Sequence, residues 1–195
     1  MTPTCAKAQK EPPYRQGIIV TVTDDTISCL VPLVPNFGVA VLTKKYVDSR
    51  YDTIPVSKIK YLANGKQVYE TVSFNTANGM RQELMWIKQE GTINLYETYY
   101  FDGANESYCV LNSYNRTELG EVWHYENGLH SSGPLIPIRV IRKNNQNYLL
   151  SDKYFQAVVG PLVADNPGIA AKLNSKKYTL ETVEQLVEEY NEGGN

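Results

Sequence analysis

The sequence predicts an α+β protein that is mainly β. We expect an antiparallel meander forming an open barrel or a strongly twisted sheet, with two or three short C-terminal helices covering one end or face. Short β-branched and tyrosine-containing runs alternate with turn residues through residues 17–150. From 152 to 192 the apolar spacing changes to three and four, which is the period of a helix. These helical runs are too short to fold alone, so they must pack on the sheet.

Short turns are predicted to join the strands. Because Asn-Gly favours a type I′ turn, in which both central residues have positive φ, the hairpin around Asn64-Gly65 has the strongest signal. Connections this short between successive strands predict a meander. The hairpins are 17–23 with 26–31 around Asp24-Asp25, 53–63 with 66–74 around Asn64-Gly65, and 83–89 with 92–101 around Glu90-Gly91. Further strands are predicted at 108–114, 118–125 and 135–143, with a loop at 144–147 and a return strand at 148–150.

Three helices are predicted in the C-terminal segment. Gly160-Pro161 is expected to kink or split the first, because proline removes a backbone donor. Asn166 is expected to cap the second, with Pro167 at its first position, and Thr179 to cap the third. The third helix has the clearest apolar stripe. That stripe consists of Leu180, Val183, Leu186, Val187 and Tyr190.

Length and composition favour one globular domain. A chain of 195 residues buries about two-thirds of its unfolded surface, so we expect a single domain over 17–192 with a β body at 17–150 and a helical segment at 152–192. The net charge of -2 offers no basic surface for nucleic acid, which is not expected as a partner. No apolar run is long enough to span a membrane.

Residues 1–16 have two interpretations. Ala6-Lys7-Ala8 places small residues at the two positions that a signal peptidase recognises, like the end of a secretory signal. The protein is then expected to be secreted or located in the periplasm or cell envelope. The alternative is a disordered polar arm. Cys29 and Cys109 lack the spacing of a zinc site, and either two buried thiols or one disulfide is compatible with the sequence.

The sequence offers few groups for catalysis. It contains two histidines, His124 and His130, and none of the motifs of metalloproteases, serine hydrolases or nucleotide-binding enzymes. We therefore expect no metal, no cofactor and no catalytic residue. An enzyme whose site combines carboxylates and tyrosines remains the alternative, because the separation of such groups is set in three dimensions.

Tyrosine supplies the positive indication of function. The chain has 15 tyrosines and four phenylalanines, and tyrosine joins an apolar ring to a hydrogen-bonding hydroxyl. The alternative is that these rings fill the core and form cross-strand pairs. If they form a surface, it would bind an unknown envelope protein or a small ligand. The predicted ligand-binding residues are Tyr96, Tyr100, Tyr108, Trp123 and Tyr125.

Several local features occur in a recognisable order along the chain. They are the strand at 17–21 with its acidic turn, Leu95-Tyr96-Glu97 before Tyr99-Tyr100, the helix start at 166–173, Lys177-Tyr178, and Tyr190-Asn191. Together they resemble a group of uncharacterised exported bacterial proteins that have an antiparallel β body and a C-terminal helical segment ending in Tyr-Asn. The resemblance covers most of residues 17–191 and implies export and this fold, but it implies no activity, ligand or catalytic residue.

Overall fold

The computed structural model describes residues 14–32, 40–47, 49–65, 67–101, 124–126, 129–131 and 135–193. Within these ranges the strands come first and the helices last, and every strand pairing given by residue register is antiparallel. The predicted fold class is confirmed. The strands are β1 Tyr14–Thr21, β2 Thr26–Pro32, β3 Ala40–Lys44, β4 Tyr51–Pro55, β5 Ile59–Asn64, β6 Gln67–Thr76, β7 Gly79–Gln89, β8 Asn94–Phe101, β9 His124–Glu126, β10 Leu129–Ser131, β11 Leu135–Lys143 and β12 Gln146–Leu149. The helices are α1 Phe155–Val163, α2 Pro167–Asn174 and α3 Val183–Gly193.

Contacts divide the chain into two compact units. Unit 1 comprises residues 1–68 and 99–137, and unit 2 comprises 69–98 and 138–195. The single domain predicted over 17–192 stays a prediction. The strands predicted at 108–114 and over most of 118–125 lie outside the described residues.

Unit 1 has the strand order β5-β1-β2-β3-β4. The predicted hairpin around Asp24-Asp25 is confirmed, with Asp24 at φ 63° and Gly17 opposite Cys29. Gly17 is needed because a Cβ there would lie 2.5 Å from Val31 Cγ2. Cys29 is a free, buried thiol whose pKa is raised by burial, whereas Cys109 lies outside the described residues.

Two sequence predictions for unit 1 are wrong in detail. The strand predicted over 53–63 is divided into β4 and β5 by a 3-10 turn at Val56–Lys58, because Pro55 cannot continue the ladder and Val56 turns into the core. Asn64 is the last residue of β5 and does not have a positive φ, whereas Gly65 has φ 64°. Asn64-Gly65 is therefore not the centre of a type I′ turn, which needs positive φ at both residues.

Unit 2 has the strand order β12-β11-β8-β7-β6. One face of this sheet carries the helices, with Leu95 and Ile141 in one core with Val159, Leu186 and Val187. The prediction that the helices cover one face is thus confirmed. The other face has its own smaller core of Val72, Phe74, Met85, Tyr96 and Val140.

The β11–β12 hairpin has the type I′ turn geometry that the sequence predicts for Asn64-Gly65. Asn144 and Asn145 have φ values of 52° and 61° and are the only residues between the two strands. The predicted loop at 144–147 is therefore too long by two residues, since Gln146 and Asn147 already belong to β12.

The helices follow the predicted order with one correction. Helix α1 continues through Pro161 and is not split, because a proline near the helix end removes only one hydrogen bond, and the predicted kink there stays a prediction. Asn166 caps α2 as predicted, accepting a hydrogen bond from Ile169 N at 3.2 Å. Thr179 is not the cap of α3. The carbonyl of Thr182 accepts the first hydrogen bonds of that helix, and Thr179 belongs to the preceding turn.

The predicted apolar stripe of α3 is confirmed, with four of its members buried and Leu180 partly buried against the same core. At the end of the helix the Asn191 side chain pairs with the Ile93 backbone, accepting from its N at 3.0 Å and donating to its O at 2.9 Å. Gly91 makes this approach possible, since a Cβ there would lie 2.5 Å from Asn191 Cγ. None of the described helices has the length and apolar character needed to cross a membrane.

Candidate functional site

Unit 2 contains a groove of about 860 Å³ where its two outer strands approach each other. We call it the seam groove. The end of β6 and the start of β7 form one side, β12 and its turn form the other, and α1 with the residues before it contributes the rest. The lining residues are Ser73, Phe74, Asn75, Thr76, Ala77, Met80, Asn145, Gln146, Asn147, Tyr148, Leu149, Ser151, Tyr154 and Val158.

The lining of the seam groove is uncharged. Its polar groups are amides and hydroxyls, and its apolar groups include two that reach solvent: Met80 is 77% exposed and Tyr154 is 55% exposed. No acidic, basic or histidine residue is among the residues that line it. Such a groove offers neutral hydrogen-bonding groups beside apolar surface, which is the usual composition of a ligand site.

Asn147 bridges the two sides of the groove. Its Nδ2 donates to the Ser73 carbonyl at 2.8 Å, and its Oδ1 accepts from Arg142 Nε at 2.8 Å. Ser73 is on β6 and Asn147 on β12, the strands at opposite ends of the unit 2 order. The sheet of unit 2 therefore curls until its outer strands face each other, without forming a strand ladder between them.

A mostly buried ion pair supports this wall from behind. Arg142 Nη1 donates to Glu70 Oε1 at 2.6 Å, and the guanidinium lies 4.7 Å from the centre of the Tyr96 ring. The Tyr96 hydroxyl donates to Glu70 Oε2 at 2.8 Å and accepts from Asn94 Nδ2 at 3.2 Å. Burial and the carboxylate raise the pKa of Tyr96, so its hydroxyl stays a donor. Arg142, Glu70, Tyr96 and Asn94 thus form one connected network, which Arg142 joins to Asn147 in the groove wall.

Among the predicted ligand-binding residues, the structure places one side chain. The side chain of Tyr96 is fully buried, so it supports the groove from inside the protein and does not face solvent. Tyr100 and Tyr125 lie on β8 and β9, but their side chains are outside the described part, as are Tyr108 and Trp123 altogether. The predicted aromatic surface stays a prediction.

Sequence reasoning missed the groove residues themselves. The sequence predicts a loop for the amide-rich run 144–147. Strand alternation that starts at Gln146 places Asn147 and Leu149 on one face instead. Tyr154 gave no signal because it precedes α1 in a short 3-10 turn. The approach of Ser73 to Asn147 joins residues 74 positions apart and has no local signature.

A second polar cluster ties β11 to the helices. Lys143 Nζ donates to Asp165 Oδ2 at 2.8 Å and to the Tyr190 hydroxyl at 2.7 Å, and it also bonds the Leu162 carbonyl at the end of α1. Burial opposes the charge of Lys143, but its bonds to Asp165 and Tyr190 outweigh this and raise its pKa. Lys143 and Tyr190 in turn lower the pKa of Asp165. These groups bond to one another, and none of them lines the seam groove.

The described ranges contain no group of three or more histidine, cysteine, aspartate or glutamate residues placed to hold a metal ion. Of the two histidines, His124 lies opposite Ser131 and His130 opposite Tyr125 in the β9–β10 pair. They are therefore not direct cross-strand partners.

The fold and the groove define a class of protein: a mainly antiparallel β protein with one helix-covered sheet face and an uncharged groove where that sheet nearly closes. No protein-family model, curated protein or solved structure matches the chain. The candidate site therefore rests on the geometry of unit 2.

Proposed function

We propose that the protein is an exported, non-catalytic binding domain that holds an uncharged ligand in the seam groove. Its place of action would be outside the cytoplasm, in the periplasm, at the cell envelope or in the medium. Export is supported by the Ala6-Lys7-Ala8 sequence and by the resemblance to exported proteins. The ligand is an envelope partner or a small molecule.

The chemistry of the groove lining carries this proposal. Asn75, Asn145 and Gln146 offer amides that both donate and accept, which suits the hydroxyl or amide groups of a neutral ligand. Tyr154 and Met80 expose apolar surface at the same place. A tyrosine ring provides a flat contact at low entropic cost, and methionine adapts to irregular shapes.

The support behind the groove favours binding by a pre-organised wall. Asn147 is fixed on both sides of its amide, by Arg142 and by the Ser73 backbone. A wall that is already in place loses little conformational entropy when a ligand binds.

The alternative, an enzyme built on carboxylates and tyrosines, would need a carboxylate that can reach the ligand. Glu70 is the carboxylate of the supporting network, and its two oxygens are bonded to Arg142 and Tyr96. With both oxygens bonded inside the protein, Glu70 is better placed to hold the groove wall in position than to exchange a proton with a ligand. This favours binding as the function.

Removal of the Tyr154 ring tests the proposal. The full chain would be screened against short linear peptides of random sequence and against an array of neutral saccharides. We expect at least one ligand, and we expect Tyr154→Ala to weaken its binding about tenfold or more, because binding energy concentrates in a few aromatic anchors. Titration calorimetry measures the change.

Tyr46→Ala is the matched control, since Tyr46 is a tyrosine exposed to 66% that does not line the groove. Its affinity should equal that of the unaltered protein. Absence of any ligand in both screens would contradict the proposal, as would ligands whose affinity changes equally in the two variants.

A further inference from the structure

We propose that the ligand of the seam groove is an uncharged, extended peptide segment that adds as a strand to the free edge of β12. This inference rests on the proposed function and specifies its ligand. It depends on the backbone of β12, which the side-chain argument above does not use.

Within the part of the chain that the structure describes, one edge of β12 has no strand partner. Among the described strands β12 pairs with β11 alone. The type I′ turn makes Lys143 and Gln146 a hydrogen-bonded pair. In an antiparallel ladder every second pair is hydrogen-bonded, so the next such pair is Ile141 with Tyr148. The bond from Leu150 N to Arg139 O at 2.9 Å continues this series.

Asn147 and Leu149 are the residues between these hydrogen-bonded pairs. In an antiparallel ladder such residues direct their N–H and C=O groups away from the partner strand. Both residues line the seam groove, so their backbone groups lie along it. The groove thus borders a strand edge with two donors and two acceptors to which no described strand is paired.

The opposite side of the groove already binds an amide. The Ser73 carbonyl of β6 accepts from the Asn147 side chain at 2.8 Å. A side-chain amide and a backbone amide are the same chemical group, so this bond shows that the carbonyl accepts an amide N–H from the direction of the groove. The Asn147 amide already makes this bond, so an added strand forms its edge hydrogen bonds with β12.

The sequence of β12 contains neither a charged residue nor a proline, two of the features that protect exposed edges. Outer strands usually carry charges or proline that discourage pairing with another chain. β4, the outer strand of unit 1, contains Asp52 and Pro55, whereas β12 reads Gln-Asn-Tyr-Leu. Its length of four residues corresponds to about 13 Å of added strand.

The lining also specifies the side chains of the peptide. A charged side chain would lose water in the groove without gaining a partner, because the lining has no ionised group. Uncharged side chains at alternate positions would instead meet the amides and the Tyr154 ring. A saccharide, by contrast, would use the lining side chains and leave the β12 edge unpaired.

Peptides methylated on backbone nitrogen provide the direct test. Binders selected from random short linear peptides would be resynthesised in two forms, with N-methyl groups at odd or at even positions. In a strand, only alternate N–H groups face a given edge. We expect one form to bind the full chain at least about tenfold more weakly and the other to retain its affinity, as loss of edge hydrogen bonds requires.

Leu149→Pro tests the protein side. Proline removes the outward N–H of Leu149 but none of the ladder bonds to β11, and edge strands tolerate proline in this orientation. We expect at least about a tenfold loss of peptide affinity. The loss is measured relative to Leu149→Ala, which also removes the leucine side chain from the groove lining but keeps the N–H. Circular dichroism verifies the fold, and if Leu149→Pro does not fold, the methylated peptides decide alone.

The possible results separate the two proposals. Equal affinity of the two methylated forms would overturn strand addition. So would binding of a neutral saccharide, lost in Tyr154→Ala, when no peptide binds; in that case the proposed function would stand. If neither class of ligand binds, both proposals fail.

Discussion

Arg142 connects the seam groove to the interior of unit 2. Its guanidinium contacts Asn147 in the wall, Glu70 behind it and the face of the Tyr96 ring. The side chains of Arg142 and Glu70 are 21% and 15% exposed, so the pair is largely removed from water. A charge in that position is stable only while its partner is present.

Arg142→Met should therefore destabilise the protein strongly. The methionine keeps much of the apolar stem but leaves the Glu70 carboxylate without its cation, which we expect to cost about 2 to 4 kcal/mol. Urea denaturation measures this as a lower midpoint with an unchanged slope.

Lys60→Met is the control for that experiment. The Lys60–Asp24 pair has the same 2.6 Å separation as the Arg142–Glu70 pair, but its side chains are 46% and 72% exposed. Solvent screens an exposed pair, so this variant should change the denaturation midpoint little. Equal effects of the two substitutions would show that burial does not determine the strength of the Arg142 contact.

Single residues also show what sequence patterns leave undetermined. Tyr190 and Asn191 are recognisable as the end of the last helix, and Tyr190 belongs to its predicted stripe. Nothing in the sequence shows that Tyr190 contacts Lys143 and Asp165, or that Asn191 bonds the Ile93 backbone. These contacts join distant parts of the chain, and apolar periodicity carries no information about them.

At the level of elements, α3 is held by its buried stripe. Val183, Leu186 and Val187 are fully buried in the core between the sheet of unit 2 and its helices. An isolated helix of 11 residues is marginal in water, so packing supplies most of its stability.

Leu186→Ala is expected to lower the free energy of unfolding by about 2 to 5 kcal/mol, through lost burial and the cavity that remains. Glu188→Ala is the control, since Glu188 lies on the exposed side of the same helix. Denaturation by urea would compare the two midpoints. An unchanged midpoint for Leu186→Ala would mean that α3 is not part of the cooperatively folded core.

The sequence predicts the type of a helix or strand well where apolar periodicity is strong. It predicts turns and element boundaries poorly, because turn chemistry and tertiary contacts determine them. The change of period after residue 150 correctly separates strands from helices. Four of the five residues predicted for the stripe lie on α3, whereas Leu180 precedes the helix and packs on the same core. The type I′ geometry was assigned to Asn64-Gly65 but occurs at Asn144-Asn145. Asparagine tolerates positive φ, so Asn144 and Asn145 adopt the type I′ conformation without a glycine.

At the scale of the whole molecule, the seam groove is a consequence of topology. The two strands that border it are at opposite ends of the unit 2 order and meet only because the sheet curls. Sheets twist as a rule, but the amount of twist between neighbouring strands varies from sheet to sheet. The sequence therefore predicts an open barrel or a twisted sheet as a class, and it cannot predict which side chains line the opening.

Hydrogen exchange of the full chain with and without bound ligand tests most directly the claim that the seam groove is the binding site. With a peptide or saccharide from the screens, we expect slower exchange in the segments that line the groove, 73–80 and 145–158. Because Asn147 and Leu149 offer the edge backbone, a bound peptide should slow exchange most in β12. Unchanged exchange in both segments, with protection confined to unit 1, would contradict the account.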